Sequence, residues 1–535
     1  MKKFLVFLLT AVMALSCLSI AQAENPDVVI LFTNDVHCAI DDNLGYASVA
    51  GLRDELKAAG SEVLVVDAGD AAQGGPVGTL STGSYIIDIM NKVGYDVAVP
   101  GNHEFDYGMD RFFELIGMAN YPYISCNFTD LKTGKAVLDA YKIFDIGGIK
   151  LAFVGISTPK TITSSTPAYF QDASGNWIYS FQQDETGEAL YACVQTAVDA
   201  ARAEGAQYVV ALAHLGIEET CSPWMSTDVI LNTTGIDAVI DGHSHSTVDA
   251  ETVKNKAGKG VLLCQTGTKL AAIGQMTISG GKLSAKLVTE APKSADVETF
   301  IADIKAQYDT TLNTIVARTD VDLVIKDPAT GERIVRNAET NLGDLCADAY
   351  RAMSGADIAF VNGGGVRADI PAGDITYGQI LNVHPFGNAM CMVEASGQEI
   401  LDALEWSVRG TPTENGGFLQ VSGLTFEFST AVESTAKGDT NGMFVEVTGA
   451  RRVSNVLVGG EPIDPAKTYT LASHNYMLKN GGDGYSMFRD NPVILDEVML
   501  DNQVLINYIT KTLNGVVGAD YSNPYGQGRI VASDK

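Results

Sequence analysis

The chain has 535 residues, of which 46% are apolar, and its formal net charge is −29 because 65 acidic residues outnumber 36 basic ones. This length exceeds one ordinary hydrophobic core and predicts two large domains, and the apolar content excludes a disordered chain. The negative charge argues against nucleic acid polymers and anionic membranes as partners. A small phosphate ester is still compatible with it, because metal ions and a few arginines can reverse the field locally.

The first 23 residues have the three regions of a secretory signal peptide: Lys2 and Lys3, an apolar run over 4–15, and a small-residue segment at 21–23. We expect cleavage after residue 23 and export, with a Gram-negative periplasm as the destination and secretion into the medium as an alternative. A second alternative is a lipoprotein in which Cys17 becomes the lipidated first residue. No later apolar segment of the sequence is long enough to predict a membrane span.

Seven cysteines follow the predicted signal peptide, and none of them belongs to a close-spaced pair of the zinc-finger or redox type. An odd number leaves at least one cysteine unpaired. The sequence therefore predicts no disulfide framework, although the expected destination is oxidising.

Between residues 28 and 274, short β-rich runs alternate with amphipathic stretches, which is typical of a layered α/β domain. The predicted strands cover 28–32, 63–66, 97–99, 151–155, 208–211, 238–240 and 261–264, and the clearest predicted helices cover 47–59, 84–92 and 188–203.

A polar stretch over about 294–314 has apolar residues at helical spacing and is predicted to be a linker helix. After residue 316 the sequence changes to strands and glycine-rich turns with a helix around 341–353, which predicts a separate α+β domain. We therefore expect a signal peptide over 1–23, a first domain over 24–293, a linker over 294–316 and a second domain over 317–535.

Five of the seven histidines occur in short segments that follow predicted strands of the first domain. Strand ends of an α/β sheet collect ligands at one edge, so these segments are expected to converge. Mixed His, Asp and Asn ligands suit divalent ions such as Zn, Mn or Co. Taken singly, each segment could be an ordinary turn or a buried core histidine. Together they predict a metal site built from Asp35, His37, Asp70, Asn102, His214, His243 and His245, with His103 next to Asn102 in sequence.

Four segments extend this prediction to a family. The sequence Gly-Asn-His-Glu-Phe-Asp at 101–106 resembles the calcineurin-like metallophosphoesterases. The segments at 362–367, 384–388 and 480–485 are similar to nucleoside-binding elements of the 5′-nucleotidase and UDP-sugar hydrolase family. The resemblance covers essentially the whole mature chain. It implies a four-layer catalytic domain with β-sheets flanked by helices, a linker helix and a C-terminal α+β domain.

The resemblance implies two divalent metal ions with a shared carboxylate, Asp70. One ion would be held by Asp35, His37, Asp70 and His245, and the other by Asp70, Asn102, His214 and His243.

The same resemblance gives His103 and Asp106 a catalytic role. His103 would meet negative charge on the phosphoryl or leaving-group oxygen in the transition state, and Asp106 would orient its ring and keep it protonated.

In the second domain, the resemblance implies that Arg336, Asn362 and Arg367 bind phosphate or nucleoside oxygens, for which the planar guanidinium is well suited.

The base and ribose would be bound by a second set of residues. Phe386 would stack on the base with Asn388 nearby, and Asp483 would accept from the ribose hydroxyls. Where the family usually has a second aromatic residue, this chain has Met477, preceded by Tyr476. Either Met477 contacts the base or Tyr476 takes that role.

The expected function is that of an exported 5′-nucleotidase with two metal ions, which hydrolyses nucleoside 5′-monophosphates. Nucleotide diphosphates and UDP-sugars are possible further substrates. One alternative is a 2′,3′-cyclic nucleotide phosphodiesterase, although Asp106 resembles the nucleotidase form. Another is a non-catalytic protein that binds metal or nucleotide, which would not need His103 and Asp106. Thiosulfate-ester hydrolysis is a more distant alternative. The oligomeric state is left open.

Overall fold

A computed structural model describes residues 26–172 and 174–533. The expected signal peptide and Cys17 lie outside these residues. Within them, no helix combines the length and the apolar character that crossing a bilayer requires.

The first domain contains two large sheets. In spatial order, one consists of Lys282–Val288, Ile273–Ser279, Val28–Thr33, Glu62–Asp67 and Val97–Ala98. The other consists of Thr247–Lys254, Gly260–Thr266, Ala238–Ile240, Tyr208–His214, Ile149–Ser157 and Tyr141–Ile146. A small third sheet consists of Lys135–Ala136, Thr129–Asp130 and Tyr179–Ser180.

Alternation along the strands explains why the two large sheets stack. Ile30 and Phe32 belong to a core that also contains Phe153 and Leu212 of the second sheet. The intervening Leu31 belongs to a different core, which faces helices. Successive side chains of a strand point to opposite faces, so each sheet packs on the other sheet with one face and on helices with the other. This arrangement of helices, sheet, sheet and helices confirms the predicted four-layer α/β class.

The α-helices of this domain pack mainly on the outer faces of the two sheets. Their bounds are Gly45–Ala58, Pro76–Ser81, Ser84–Val93, Met109–Met118, Thr161–Ser164, Glu188–Ala203 and Ser226–Asn232.

Parallel pairing brings the functional segments to common edges. Strand Val28–Thr33 runs parallel to Glu62–Asp67, and Tyr208–His214 runs parallel to both Ile149–Ser157 and Ala238–Ile240. The loops that follow the carboxyl ends of parallel strands must lie side by side.

The linker region consists of two helices, Ala295–Ala306 and Asp309–Leu312, rather than the single helix expected from the sequence. Ile301 and Ile304 pack in the core of the first domain, and the Lys305 ammonium lies 2.5 Å from the Asp41 carboxylate. The break falls at Tyr308, whose backbone leaves the helical conformation at φ −130°. The longer helix is therefore packed on the first domain.

The second domain is α+β, as predicted. Its central sheet has the order Leu419–Ser422, Ile358–Asn362, Thr468–His474, Met390–Ser396 and Val493–Leu495. Further sheets consist of Gly373–Thr376, Ile315–Thr319 and Val516–Val517, of Glu461–Pro462, Val453–Val458, Leu424–Phe428 and Ile530–Ala532, and of Ala436–Gly438 and Phe444–Val447. Its α-helices are Asn341–Ser354, Tyr377–Val383, Gly397–Ser407, Asn475–Leu478 and Asp501–Asn507.

Two capped helices cover opposite faces of the central sheet. Helix Asn341–Ser354 begins after Thr340, whose side chain accepts from the Gly343 N–H, and it packs in one core. Helix Gly397–Ser407 begins with a capping box formed by Ser396 and Glu399, and it packs in another. Each cap satisfies backbone groups that would otherwise lack partners at the helix start.

The core between the two large sheets should dominate the stability of the first domain. Phe153 is fully buried there, so Phe153→Ala is expected to lower the free energy of unfolding by about 3–5 kcal/mol. Phe113→Ala is the control, because Phe113 is 39% exposed and its loss should cost about 0.5 kcal/mol or less. Urea denaturation followed by circular dichroism measures both, and equal effects would contradict the assigned layering.

Candidate metal centre and nucleotide cavity

The first group of potential metal ligands consists of Asp35, His37 and His245. The Nε2 atoms of His37 and His245 lie 3.0 Å apart, and Asp35 Oδ1 lies 3.4 Å from the His245 nitrogen and 3.9 Å from the His37 nitrogen. These three ligand atoms come from two loops that are distant in sequence, so the fold creates the group.

The second group consists of Asp70, His214 and His243, with Asn102 beside it. His214 Nε2 lies 3.0 Å from Asp70 Oδ2, and His243 Nδ1 lies 2.8 Å from Asn102 Oδ1. Asp70 also forms a close group with His37 and His103, so its carboxylate lies between the two sets of ligands. All seven side chains predicted to bind metal therefore lie in one region.

The histidine rings are oriented for metal binding. His37 Nδ1 donates to the Gln73 carbonyl at 3.0 Å, and His214 Nδ1 donates to the Ala68 carbonyl at 2.7 Å. These bonds leave each Nε2 lone pair facing the ligand groups, as second-shell hydrogen bonds do in metal sites. His214 Nε2 is buried and makes no hydrogen bond of acceptable geometry. The donor set and this unpaired nitrogen both fit a divalent cation.

The pKa values fit the same interpretation. Burial, followed by a neighbouring histidine, lowers the pKa values of His37 and His243 well below the usual range, which favours neutral imidazoles with free lone pairs. At His214, burial acts in the same direction, but the carboxylates of Asp70 and Asp35 raise its pKa to about 10. The negative field at that nitrogen favours a cation.

Five of the seven candidate ligands have a left-handed backbone conformation. The φ angle is 49° at Asp35, 48° at His37, 61° at Asp70, 76° at His243 and 55° at His245. Residues other than glycine rarely adopt this conformation, which costs on the order of 1 kcal/mol or more at each position. The surrounding structure therefore holds disfavoured conformations at the place where the candidate ligands converge.

Glu104 connects two of the ligand loops and was given no role by the sequence. Its buried carboxylate accepts from the backbone N–H groups of Asp70 at 2.8 Å, Ala71 at 2.8 Å and Gly101 at 2.7 Å. It thereby fixes the loop of Asp70 against the loop that carries Asn102. Only its place inside the 101–106 motif could have indicated this role.

His103 lies between the ligand groups and the open cavity. Its ring centroid is 5.2 Å from that of His37 and 5.6 Å from that of Phe386. Its Nδ1 donates to Asp106 Oδ2 at 2.5 Å, and Asp106 Oδ1 accepts from the Ser165 hydroxyl at 2.9 Å. Burial lowers the pKa of His103, but Asp106 and Asp70 outweigh it and raise that pKa above the usual range. A protonated ring can donate from Nε2.

A cavity of about 480 Å³ extends from the ligand groups into the second domain. Residues of both domains line it, so its two walls come from separate cores. Among the residues predicted to bind substrate, it contains Arg336, Asn362, Arg367, Phe386, Asn388 and Asp483.

Arg367 and Phe386 lie at the end of the cavity nearest His103. The Arg367 guanidinium carbon is 5.6 Å from the Phe386 ring centroid, within the range of a cation–π contact. Burial, followed by repulsion from Arg333, lowers the pKa of Arg367 to about 10, so the group is still charged at neutral pH. A cation next to the metal-ligand groups is suited to an anionic phosphate.

Asn362 and Asp483 belong to one hydrogen-bonded chain. His474 Nε2 donates to Asn362 Oδ1 at 3.0 Å, and Asn362 Nδ2 donates to Asp483 Oδ2 at 2.7 Å. The Trp406 ring N–H donates to the Asp483 carbonyl at 2.9 Å. Asn362 therefore orients the carboxylate of Asp483, a contact that the sequence did not reveal.

Met477 does not line the cavity, and the expectation that it contacts the base is corrected. Its side chain is fully buried in the core of the second domain, whereas Tyr476 lines the cavity. Consecutive residues of a helix point about 100° apart, so the apolar side chain takes the core position. The Tyr476 hydroxyl donates to the Thr163 carbonyl at 2.8 Å and accepts from the Asp483 N–H at 3.0 Å. This residue contacts both domains.

Family models match each domain of the chain. Residues 28–247 match the model for calcineurin-like phosphoesterases, and residues 315–490 match the model for the 5′-nucleotidase C-terminal domain. A 5′-nucleotidase of Vibrio parahaemolyticus is 30% identical over 537 residues, which covers 90% of this chain and 89% of that protein. The chain belongs to the 5′-nucleotidase family.

Two further relatives of the 5′-nucleotidase family extend over nearly the full length. Protein UshA of Escherichia coli is 26% identical and covers 93% of each chain. The crystal structure of a 5′-nucleotidase precursor from Thermus thermophilus has a TM-score of 0.79 at 26% identity, covering 95% of this chain and 100% of that one. Membership confirms the predicted resemblance, and the chain is a metal-dependent phosphoester hydrolase.

Three cationic side chains of this 5′-nucleotidase family member line the cavity but were not predicted: Lys160, Arg333 and Arg409. Arg333 Nε donates to Glu414 Oε1 at 2.9 Å. The Arg409 guanidinium carbon lies 3.7 Å from the Trp406 ring centroid. The spacing of Arg333 and Arg336 could have indicated the first arginine. Nothing in the local sequence distinguishes Arg409 from a surface residue.

Gly101 tests the close packing of the metal-ligand loops. A Cβ atom at this position would lie 2.3 Å from Asp70 Oδ1 and 2.8 Å from His214 Nε2. Gly101→Ala is therefore expected to weaken divalent-metal binding by roughly 10- to 100-fold. Gly117→Ala is the control, because a Cβ there would meet nothing within 4 Å. Metal titration of both variants measures the effect, and equal affinities would contradict the proposed ligand geometry.

Proposed function

We propose that this protein is an exported 5′-nucleotidase that uses two divalent metal ions to hydrolyse nucleoside 5′-monophosphates to nucleoside and phosphate. One observation carries the proposal. The two ligand groups around Asp70 open into the same cavity that contains Arg367, Phe386 and Asp483. A phosphate at the ligand groups would thus place a nucleoside within reach of an aromatic ring and a carboxylate.

The proposed metal sites follow the two ligand groups. Asp35, His37, Asp70 and His245 would hold one ion, and Asp70, Asn102, His214 and His243 would hold the other. Zn, Mn and Co are the proposed ions because the donors are imidazole, carboxylate and amide. When bound, such ions activate water and stabilise negative charge on a phosphoryl centre.

His103 would supply a proton or a hydrogen bond at the reacting phosphate. Asp106 holds Nδ1, so Nε2 is the atom available to a phosphoryl or leaving-group oxygen. The carboxylates of Asp106 and Asp70 outweigh burial and raise the pKa of His103, which favours the protonated donor. The Phe386 ring centroid is 5.6 Å from the His103 ring centroid, so a base stacked on Phe386 would lie close to this donor.

The arginines and the nucleoside-binding residues would position the substrate. Arg367 would pair with the phosphate, and Arg336, whose buried Nε has no hydrogen-bond partner among the described residues, would donate to a second substrate oxygen. Asp483 has one oxygen held by Asn362, which leaves the other to accept from a ribose hydroxyl. Tyr476, rather than Met477, is proposed as the second side chain that contacts the base, and it is aromatic like Phe386.

Nucleotide diphosphates and UDP-sugars are proposed as further substrates. Lys160 and Arg333 also line the cavity, so more than one phosphate could be neutralised there.

The proposed export rests on residues 1–23. The proposed division into a first domain (24–293), a linker (294–316) and a second domain (317–535) follows the change to strands and glycine-rich turns after residue 316.

Chromatographic analysis of the products formed from a panel of substrates tests the assignment, because cleavage of UDP-glucose or of 2′,3′-cyclic AMP does not by itself release inorganic phosphate. The metal-loaded protein is expected to hydrolyse AMP faster than UDP-glucose or 2′,3′-cyclic AMP, and a chelator should abolish the reaction. Preference for the cyclic substrate would instead support the phosphodiesterase alternative. Absence of turnover on the whole panel would contradict the proposed activity.

His103→Ala tests the proposed proton donor. Its kcat for AMP is expected to fall by roughly 10²- to 10⁴-fold with metal content retained, since this ring is not among the proposed ligands. Asp106→Asn should act in the same direction because it removes the negative charge next to His103 Nδ1. Asp110→Asn, an exposed carboxylate on the next helix, is the control and should leave kcat unchanged. An unaffected rate in His103→Ala would remove this residue from the mechanism.

A further inference from the structure

Two cysteines that are 67 positions apart in sequence meet in the first domain. Cys126 lies two residues after Ile124, whose backbone N–H donates to the Ala98 carbonyl. The backbone N–H of Cys126 itself donates to the Gly155 carbonyl at 2.8 Å. Cys193 lies on helix Glu188–Ala203, and its Sγ is 3.0 Å from the Cys126 carbonyl oxygen. Both side chains contribute to the same outer core. The helix is thus packed so that the Cys193 thiol lies on the backbone of Cys126.

The thiol groups of these two residues also interact with each other. A hydrogen bond between them raises the pKa of Cys126, which burial raises further, and the same bond lowers the pKa of Cys193. Among residues 26–172 and 174–533, we find no second pair of cysteine thiols in such contact. The remaining five are Cys38, Cys221, Cys264, Cys346 and Cys391, all buried.

We propose that Cys126 and Cys193 are a modification site, at which the exported protein carries an intramolecular disulfide. The location in an oxidising compartment rests on the export included in the proposed function. The juxtaposition of the thiols does not depend on it. Disulfides persist in such compartments and are rare in reducing ones.

The exposures of the two side chains indicate the order of the reaction. Cys193 is half-buried and Cys126 is only 6% exposed, so Cys193 is the thiol expected to react first with a small disulfide such as glutathione disulfide. The Cys193 thiolate attacks one sulfur of that disulfide, forms a mixed disulfide and releases one glutathione thiolate. Cys126 then loses its proton and attacks the Cys193 sulfur, which releases the second glutathione. Two protein thiols are oxidised and one glutathione disulfide is reduced to two thiols.

The disulfide would join a helix to the segment that supports the catalytic loop. Ser125, next to Cys126, has its hydroxyl 3.1 Å from that of Ser157, and the Ser157 hydroxyl donates to the Pro100 carbonyl at 2.8 Å. Pro100 immediately precedes the 101–106 segment. A covalent bond at position 126 would therefore restrain the unfolded chain and anchor this support.

The experiment uses the full mature chain, prepared with reduced thiols and then incubated with glutathione disulfide. Denaturation, alkylation and intact-mass measurement count the remaining thiols. The seven described thiols should fall to five in the wild type, because only the Cys126 and Cys193 pair is consumed. Trypsin digestion without reduction should then give peptide 112–132 joined to peptide 161–202.

Variants separate the two steps. Cys126→Ser should stop at the mixed disulfide and retain one glutathione on Cys193, and Cys193→Ser should form no cross-link. Cys264→Ala, which removes a buried cysteine outside the pair, should oxidise as the wild type does. The thermal unfolding midpoint should be several degrees higher for oxidised than for reduced wild type, with no such difference in Cys193→Ser.

Two results would overturn the proposal. One is a wild-type protein in which both cysteines are still alkylated after oxidation, and the other is a glutathione adduct that persists on Cys193 without being displaced. If Cys126→Ser does not fold, Cys193→Ser and the wild type still decide the outcome. AMP hydrolysis is measured separately on the same samples, so loss of the proposed activity and absence of the disulfide are distinguishable.

Discussion

The carboxylate of Asp70 is the point at which the two groups of candidate metal ligands meet. It lies 3.0 Å from His214 Nε2 and also groups with His37 and His103. Asp70 keeps this position although its backbone is left-handed. The Glu104 carboxylate accepts from the backbone N–H of Asp70, and Asp70 Oδ1 accepts from the backbone N–H of His103 at 2.8 Å. A displacement of this one side chain would disturb both ligand groups and the proposed proton donor.

The rest of the fold supplies what this arrangement needs. Two stacked sheets bring loops from distant parts of the sequence to adjacent edges, and glycine at positions such as Gly242 allows their backbones to approach. A Cβ there would lie 2.8 Å from His214 Nδ1 and 3.0 Å from Asp35 Oδ2. The second domain closes the other side of the cavity and contributes Arg367 and Phe386. The hydrogen bond from Tyr476 to Thr163 joins the two walls directly.

The sequence predicted the fold class and the convergence of the candidate ligands because both follow from strand patterns. Asp35 and His214 each come at or just after the end of an apolar strand, and parallel pairing collects such ends at one edge of each sheet. The linker was predicted as one helix but is broken at Tyr308, since tertiary packing rather than helical periodicity decides where it ends. Glu104 was not assigned a role because its partners are backbone N–H groups, which leave no pattern in the side chains.

Substrate-binding residues were harder to predict for the same reason. Met477 and Tyr476 are neighbours, and only the packing of a short helix decides which of them lines the cavity. Arg409 is positioned by its stacking on Trp406, a contact that depends on the end of a helix and the following turn. The disulfide proposed for Cys126 and Cys193 likewise depends on helix packing, and the spacing of the cysteines does not indicate it.

The most direct test of two-metal catalysis is a titration of metal-free protein with Zn, Mn or Co ions while phosphate release from AMP is followed. The prediction is that activity reaches its maximum only when two equivalents are bound, because the two proposed metal sites would share Asp70 and act on one phosphate. Full activity at one bound equivalent, or activity that does not depend on metal, would contradict it.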